Sequence, residues 1–272
     1  MSREPHPLHA SMGLFTTIPV PPITDLTRRT ATRAMAAFPI VGSLLGIAGA
    51  LVLVALTAID QPWLGAVLAV AALAWLTGGL HLDGVADTAD GLGSRRDPET
   101  ALAIMKRSDI GPMGVITLLM VLLVDVTSLV GLAAPSGPGG AGVWLGATAL
   151  VVAATTGRVV VVWATTTPGP VARPGGFGAL FHRASTPATA LAHSVLVVLA
   201  AAVAGWFTVG QVGLLVLPVA VLAGHVFAHL WQRHLLRRLG GHTGDSFGSL
   251  VELTQSVVLV TAAIGVGIAA RF

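Results

Sequence analysis

Residues 62–91 read PWLGAVLAVAALAWLTGGLHLDGVADTADG. The first 21 residues of this stretch carry no charge, and the next nine carry three aspartates, Asp83, Asp87 and Asp90. An uncharged apolar run of ~20 residues is the length that crosses a bilayer as a helix. The stretch therefore reads as a membrane span, 62–82, running directly into an acidic segment at the membrane edge. Working outward, further apolar runs lie at 35–60, 113–134, 141–166, 188–208, 211–231 and 250–270, which makes seven candidate spans. The fold class that follows is all-α: a polytopic membrane bundle of about seven helices plus one short cytoplasmic amphipathic helix. The whole of 1–272 reads as a single integral-membrane domain without repeats.

Composition supports this. Hydrophobic residues make up 54% of the chain and charged residues 10%, against about 25% charged in soluble domains. The mean hydropathy is +0.84. A soluble globule, a disordered chain and a coiled coil are excluded. The net charge of +3 does not point to nucleic acid, because the bases are dispersed and Lys106 is the only lysine. Apart from Arg158 inside a span and Arg271 at the far end, the one exception outside the spans, they fall into alternate loops: Arg3, Arg28, Arg29 and Arg33; then Arg95, Arg96, Lys106 and Arg107; then Arg173 and Arg183; then Arg233, Arg237 and Arg238. The connections near 61, 135–140 and 209–210 contain no Lys or Arg. Under the positive-inside rule this places the N-terminus and the basic loops in the cytoplasm and the C-terminus outside. The Gly- and Pro-rich stretches 131–142 and 167–187, the latter with Pro168 and Pro170, read as loops. Residues 1–11 lack the apolar segment of a cleaved signal peptide. There is no cysteine, so thiolate metal sites and disulfides are excluded.

The chemistry concentrates after the second span. Six of the 12 acids lie between residues 83 and 109. Asp83, Asp87 and Asp90 at i, i+4, i+7 project from a helix within about 60° of one another. Three like charges on one face repel, and a hard divalent cation relieves that repulsion; Mg²⁺ takes carboxylates together with substrate phosphates. The intervening Gly, Ala, Val and Thr are small enough to let a helix or a substrate approach closely. His81 faces another side and either contacts substrate or caps the span. Asp97-Pro98-Glu99 reads as the start of a short helix, with Asp97 as N-cap and Pro98 at N1. Leu102 and Met105 are among its apolar positions, and it ends in Lys106-Arg107-Ser108-Asp109, a candidate phosphate clamp. Asp125 and Arg158 are charges inside spans, where each costs roughly 2.5–3.5 kcal/mol; the simplest arrangement is a buried ion pair, with a ligand phosphate as the other possible partner of Arg158. The last basic loop, Gly240-Gly241-His242-Thr243-Gly244-Asp245, followed by Glu252, could complete the site, its glycines letting backbone N–H groups approach an anion. His225 and His229 have zinc-like i, i+4 spacing, but interhelical hydrogen bonding suits them better. Trp63, Trp144, Trp206 and Trp231 fall near span ends, as interfacial aromatics do.

The motifs Gly78-Gly79-Leu80-His81-Leu82-Asp83-Gly84-Val85-Ala86-Asp87-Thr88-Ala89-Asp90-Gly91, Ile104-Met105-Lys106-Arg107-Ser108 and Leu239 to Asp245 closely resemble the cobalamin synthase family (adenosylcobinamide-GDP ribazoletransferases). The resemblance runs from Phe15 to Glu252. It implies a Mg²⁺-dependent polytopic enzyme that joins α-ribazole, or its 5′-phosphate, to adenosylcobinamide-GDP with release of GMP. It places Asp83, Asp87 and Asp90 in the metal and catalytic site and marks Arg158. On this reading Asp83 and Asp87 hold Mg²⁺, and Asp90 is the general base or a ligand to a second metal. Lys106, Arg107 or Arg158 stabilise phosphate oxygens, and the segment His242, Thr243, Gly244 and Asp245 binds nucleotide or ribazole. One departure stands out: Arg107 precedes Ser108 and Asp109 follows it, the reverse of the family's charge order. Two other classes share parts of the pattern. A CDP-alcohol phosphotransferase has Arg where this chain has Asp87, and an ion-coupled transporter would use Asp125 and Arg158.

Overall fold

A computed structural model describes residues 5–134, 141–167 and 171–271. The connection 135–140 and the Pro168–Pro170 stretch lie outside the described residues. The chain forms eleven helices among them: α1 (Pro7–Phe15), α2 (Arg28–Thr57), α3 (Pro62–Leu76), α4 (Leu80–Gly93), α5 (Pro98–Ile104), α6 (Pro112–Ala133), α7 (Ala141–Ala164), α8 (Phe177–Leu180), α9 (Pro187–Val209), α10 (Gln211–Leu239) and α11 (Gly244–Ala269). Six of them, α2, α6, α7, α9, α10 and α11, are long and apolar enough to cross a membrane. The fold is a polytopic helical bundle.

The span expected at 62–82 is where the structure departs most. Helix α3 stops at Leu76 after 15 residues, about 22 Å of rise. Gly78 and Gly79 then take φ of +61° and +72°, a left-handed conformation that glycine adopts without a Cβ penalty. The chain turns by 90° into α4. Helix α3 is too short to span alone and makes a seventh membrane segment only together with α4, which turns away from its axis at the end of the bundle. Elsewhere the spans are longer than their apolar runs: α2 begins at Arg28, α10 continues to Leu239 and α11 begins at Gly244. A polar turn costs nothing where a helix emerges into water, so hydropathy alone under-reads these ends. The tail also forms α1, which apolar periodicity did not announce. Helix α5 starts as its sequence predicts, with the Thr100 N–H donating to Asp97 Oδ1 at 3.0 Å.

Helix α7 is the central post, packed against α2, α6, α9, α10 and α11. Small residues set these contacts. A Cβ on Gly46 would lie 2.7 Å from Val151 Cα, and one on Gly157 2.6 Å from Val251 O. In lipid there is no hydrophobic force between apolar helices, so close backbone approach supplies the dispersion energy that holds them. One core cluster fills the middle of the bundle. A second, including Phe15, Phe38, Phe181 and Phe247, lies beneath α4 and α5.

Candidate active site

Helix α4 is held at three points. Gly84 sits on the start of α11, where an added Cβ would be 2.6 Å from Asp245 O and 3.0 Å from Gly248 Cα. Gly91 takes the Met105 side chain, which docks the end of α5. Asp90 accepts from the backbone N–H of Gly111 at 2.6 Å and of Gly114 at 2.8 Å. Those donors belong to the first turn of α6, where N–H groups have no partner within the helix. Both oxygens of Asp90 are therefore engaged with the start of α6, a geometry that suits a positioning residue rather than the base assigned to it by sequence.

Asp83 is exposed and Asp87 half-buried on the face beside Asp90. Burial, then the negative charges of Asp83, Asp245 and Asp90, push the Asp87 carboxyl up to about 7; Arg173 pulls the other way. Asp245, in the first turn of α11, interacts with Arg173 and Asp83. The acids of α4 and α11 thus face one another, and Arg173, from the 171–176 segment, lies close enough to act on both Asp87 and Asp245. It is tethered through a hydrogen bond from Nη2 to Leu102 O. Among the described residues no three acids or histidines converge as a metal cage. The mutual repulsion of Asp87 with Asp83, Asp245 and Asp90 is what a divalent cation would relieve, and Mg²⁺ takes one or two carboxylates together with water and phosphate oxygens.

Lys106, Arg107 and Ser108 are exposed in the linker from α5 to α6, whose far end Asp90 holds. Arg107 Nε is 3.3 Å from Asp109 Oδ1, with both side chains mostly in solvent. The reversed charge order noted in the sequence leaves these two neighbours paired with each other.

Arg158 is fully buried. Its Nη1 donates to Ala154 O at 3.1 Å and Gln255 Oε1 at 3.3 Å, and its Nη2 lies 3.2 Å from His81 Nδ1. Glu252 Oε1 is 3.7 Å from the same His81 nitrogen. The ion pair expected between Arg158 and Asp125 is replaced by this His81–Arg158–Glu252–Gln255 layer, and Asp125 lies on α6 against Ser256 and Gln255. Arg158 and Glu252 are thus sealed beneath the acid face, where they support His81, and neither is placed to grip a phosphate.

The last loop divides. Gly240, at φ +73°, ends α10. Thr243 caps α11 in a reciprocal box with Ser246. His242 is buried: its Nε2 accepts from Gln232 Nε2 at 3.2 Å and its Nδ1 is 3.3 Å from Ser246 Oγ. Burial, then His182, pushes its ring down to about 4, so it is neutral. His242 and Thr243 build the loop, whereas Gly244 and Asp245 line a cavity with His81, Asp83 and the rings of Phe15, Phe38, Phe177, Phe181 and Phe247. Arg173 and these phenylalanines went unassigned from sequence. The one local hint was the i, i+4 spacing of Phe177 and Phe181. His225 bonds to Ser194 at 2.9 Å, the interhelical role expected of it.

The family model described as cobalamin-5-phosphate synthase matches residues 7–263. An adenosylcobinamide-GDP ribazoletransferase of Frankia casuarinae is 38% identical over 92% of both chains. One of Stutzerimonas stutzeri is 37% identical over 96% of this chain and 99% of its own. One of Sinorhizobium medicae is 39% identical over 86% of each. No solved structure matches the chain. With near-complete coverage in both directions, and with the acid-bearing α4 and the α11 start inside the matched region, the chain belongs to the cobalamin-5-phosphate synthase family.

Proposed function

We propose that this protein is a Mg²⁺-dependent adenosylcobinamide-GDP ribazoletransferase of the cytoplasmic membrane. It joins α-ribazole or its 5′-phosphate to adenosylcobinamide-GDP and releases GMP. The observation that carries the reading is the convergence of Asp83 and Asp87 with Asp245 around Arg173 at the end of the bundle that holds the basic loops. That end faces the cytoplasm under the positive-inside rule, where a nucleotide-activated corrinoid is available. The family membership and the names of the relatives support the substrate pair; membership also removes the motive for the lipid phosphotransferase and transporter readings.

Attack of a ribazole hydroxyl on a phosphoanhydride needs charge neutralisation, alignment and a proton acceptor. Asp83 and Asp87, one turn apart on α4, would hold Mg²⁺, whose contribution when bound would be charge neutralisation at the diphosphate. Asp245, facing them from α11, accepts the hydroxyl proton. Arg173 donates to the phosphate oxygens, with Lys106 and Arg107 drawing the anion toward the site from the exposed linker. Asp90 fixes α4 against α6, and the His81–Arg158–Glu252 layer gives α4 a rigid floor.

The test is turnover by the purified chain in lipid nanodiscs, with adenosylcobinamide-GDP and either ribazole form, with and without Mg²⁺. GMP and corrinoid product are separated by chromatography. Mg²⁺-dependent formation of both, lost in Asp83→Asn, is the expected result. No product from folded protein with either ribazole form refutes the assignment.

A further inference from the structure

Five of the chain's eight phenylalanines wall one cavity of about 110 Å³ at the acid end of the bundle. They come from four separate elements: Phe15 of α1, Phe38 of α2, Phe177 and Phe181 at α8, and Phe247 of α11. Phe15 stands 4.3 Å from Phe38 and 5.5 Å from Phe181, ring centre to ring centre. Phe177 is 5.7 Å from Phe181. The polar side chains of the lining are Asp83, Asp245 and His81, and the His81 Nδ1 is already engaged with Arg158 and Glu252. A ring entering this space therefore finds aromatic faces and edges, with carboxylates on one side.

We infer that this cavity is the base subsite of the ribazole substrate: it takes the methylated benzo edge of the benzimidazole and leaves the ribose at Asp245 and Asp83. The inference rests on the function proposed above. Three flat groups occur in the two substrates: the guanine of the GDP, the adenine of the adenosyl ligand and the benzimidazole of ribazole. Guanine and adenine carry donors and acceptors around their edges, and burying those against phenylalanines would leave them unpaired at a large penalty. The dimethylated benzo edge has no polar atom. The volume is on the order of one aromatic ring, which fits that half of the bicycle. Seated this way, the sugar sits at the mouth, where its hydroxyl meets the carboxylate assigned to receive the proton.

The full chain in nanodiscs is titrated with α-ribazole, and binding is followed by the change in benzimidazole fluorescence, with no nucleotide present. Phe177 is the wall residue to change, because it is 39% exposed and Phe177→Ala spares the core. Phe177→Ala is expected to raise the Kd and KM for α-ribazole about tenfold, the usual cost of a lost base–aromatic stack, and to leave the KM for adenosylcobinamide-GDP unchanged. In the unaltered protein, the riboside lacking both methyls is expected to bind about 100-fold more weakly, roughly tenfold for each methyl, and guanosine is expected not to displace α-ribazole. Displacement by guanosine at the same concentration as the demethylated riboside overturns the subsite. So does a Phe177→Ala protein in which only the adenosylcobinamide-GDP KM moves. Saturable ribazole binding with this specificity but without turnover supports the subsite and refutes the proposed reaction, so the two failures are separable.

Discussion

Replacing Gly84 by alanine adds one methyl group at the point where α4 crosses α11. An ideal Cβ at that position lies 2.6 Å from Asp245 O and 3.0 Å from Gly248 Cα. Both are backbone atoms, so no rotamer change can relieve the contact. Reaching ordinary contact at 3.4 Å requires about 0.8 Å of separation between the helices at Asp245 O. Overpacking of this kind costs about 1–3 kcal/mol, offset by roughly 1 kcal/mol because alanine is the better helix former. The net loss of stability is therefore small, about 0–2 kcal/mol. The effect on chemistry is larger, since Asp83 and Asp87 ride on one helix and Asp245 on the other. A misplacement approaching 1 Å costs on the order of 100-fold in rate, so Gly84→Ala is expected to lose 10- to 100-fold in kcat with little change in melting temperature. Gly131→Ala in α6 is the control, because an added Cβ there meets nothing within 4 Å; it should keep full turnover and equal or higher stability. Turnover in nanodiscs and thermal unfolding in the same preparation provide both readings. Gly84→Ala retaining wild-type kcat would refute the idea that the α4–α11 separation sets the geometry of the site.

With Asp87 in its proposed role as a Mg²⁺ ligand, its raised carboxyl is expected to make metal binding pH-dependent. Only the carboxylate coordinates, so below about 7 the proton competes; the apparent Mg²⁺ affinity should fall about tenfold per pH unit on acidification and level off above it, with Asp87→Asn abolishing the slope. This is read by titrating Mg²⁺ at fixed pH values and following product formation. Asp90→Ala leaves two amides of α6 without their acceptor and should cost about 1–3 kcal/mol of stability. Asp90→Asn keeps an acceptor oxygen and should retain Mg²⁺-dependent turnover, whereas its complete loss would return Asp90 to the role of base. Arg158→Met strands Glu252 without its opposing charge and should destabilise the fold by about 3–5 kcal/mol. Adding Glu252→Gln should recover part of that loss, and a strictly additive double-mutant cycle would mean that the two side chains are not coupled.

What could be read from sequence divides according to the range of the interaction. The face shared by Asp83, Asp87 and Asp90 follows from helical spacing within one segment, and the Asp97–Pro98 start of α5 from capping chemistry in adjacent residues. The break between α3 and α4 was hidden because Thr77-Gly78-Gly79-Leu80 sits inside an uninterrupted apolar run, and hydropathy averages over a 90° turn. The partner of Arg158 was equally out of reach. Choosing between Asp125 and Glu252 requires the rotation of α6, α7 and α11 about their own axes, which spacing does not determine. Arg173 joins the site from a loop more than 80 residues beyond Asp87, with nothing in its neighbours to mark it. The segment from His242 to Asp245 was recognised as one functional loop, yet the capping of α11 and the docking of the His242 ring divert its first two side chains to structure.

The turn between α3 and α4 resolves a conflict built into a membrane enzyme that acts on phosphates. Carboxylates held in the hydrocarbon are costly to ionise, and carboxylates on a free loop lack fixed geometry. Laying a 14-residue helix across the end of the bundle keeps Asp83 in water and Asp87 half-buried, while Gly84 and Asp90 fasten the helix to α11 and α6. The fastening by Asp90 also explains why a third acid belongs on that face. It accepts from the orphan N–H groups and neutralises the positive end of the α6 dipole, which would otherwise attract anions to the start of α6. Beneath α4, His81, Arg158 and Glu252 satisfy one another, so the floor of the site carries charge without exposing it to lipid. The same arrangement predicts how the site fails. Substitutions under α4 should appear first as lost stability, substitutions at Asp83, Asp87, Asp245 and Arg173 as lost turnover in folded protein, and Gly84 should fall between the two because it touches both layers.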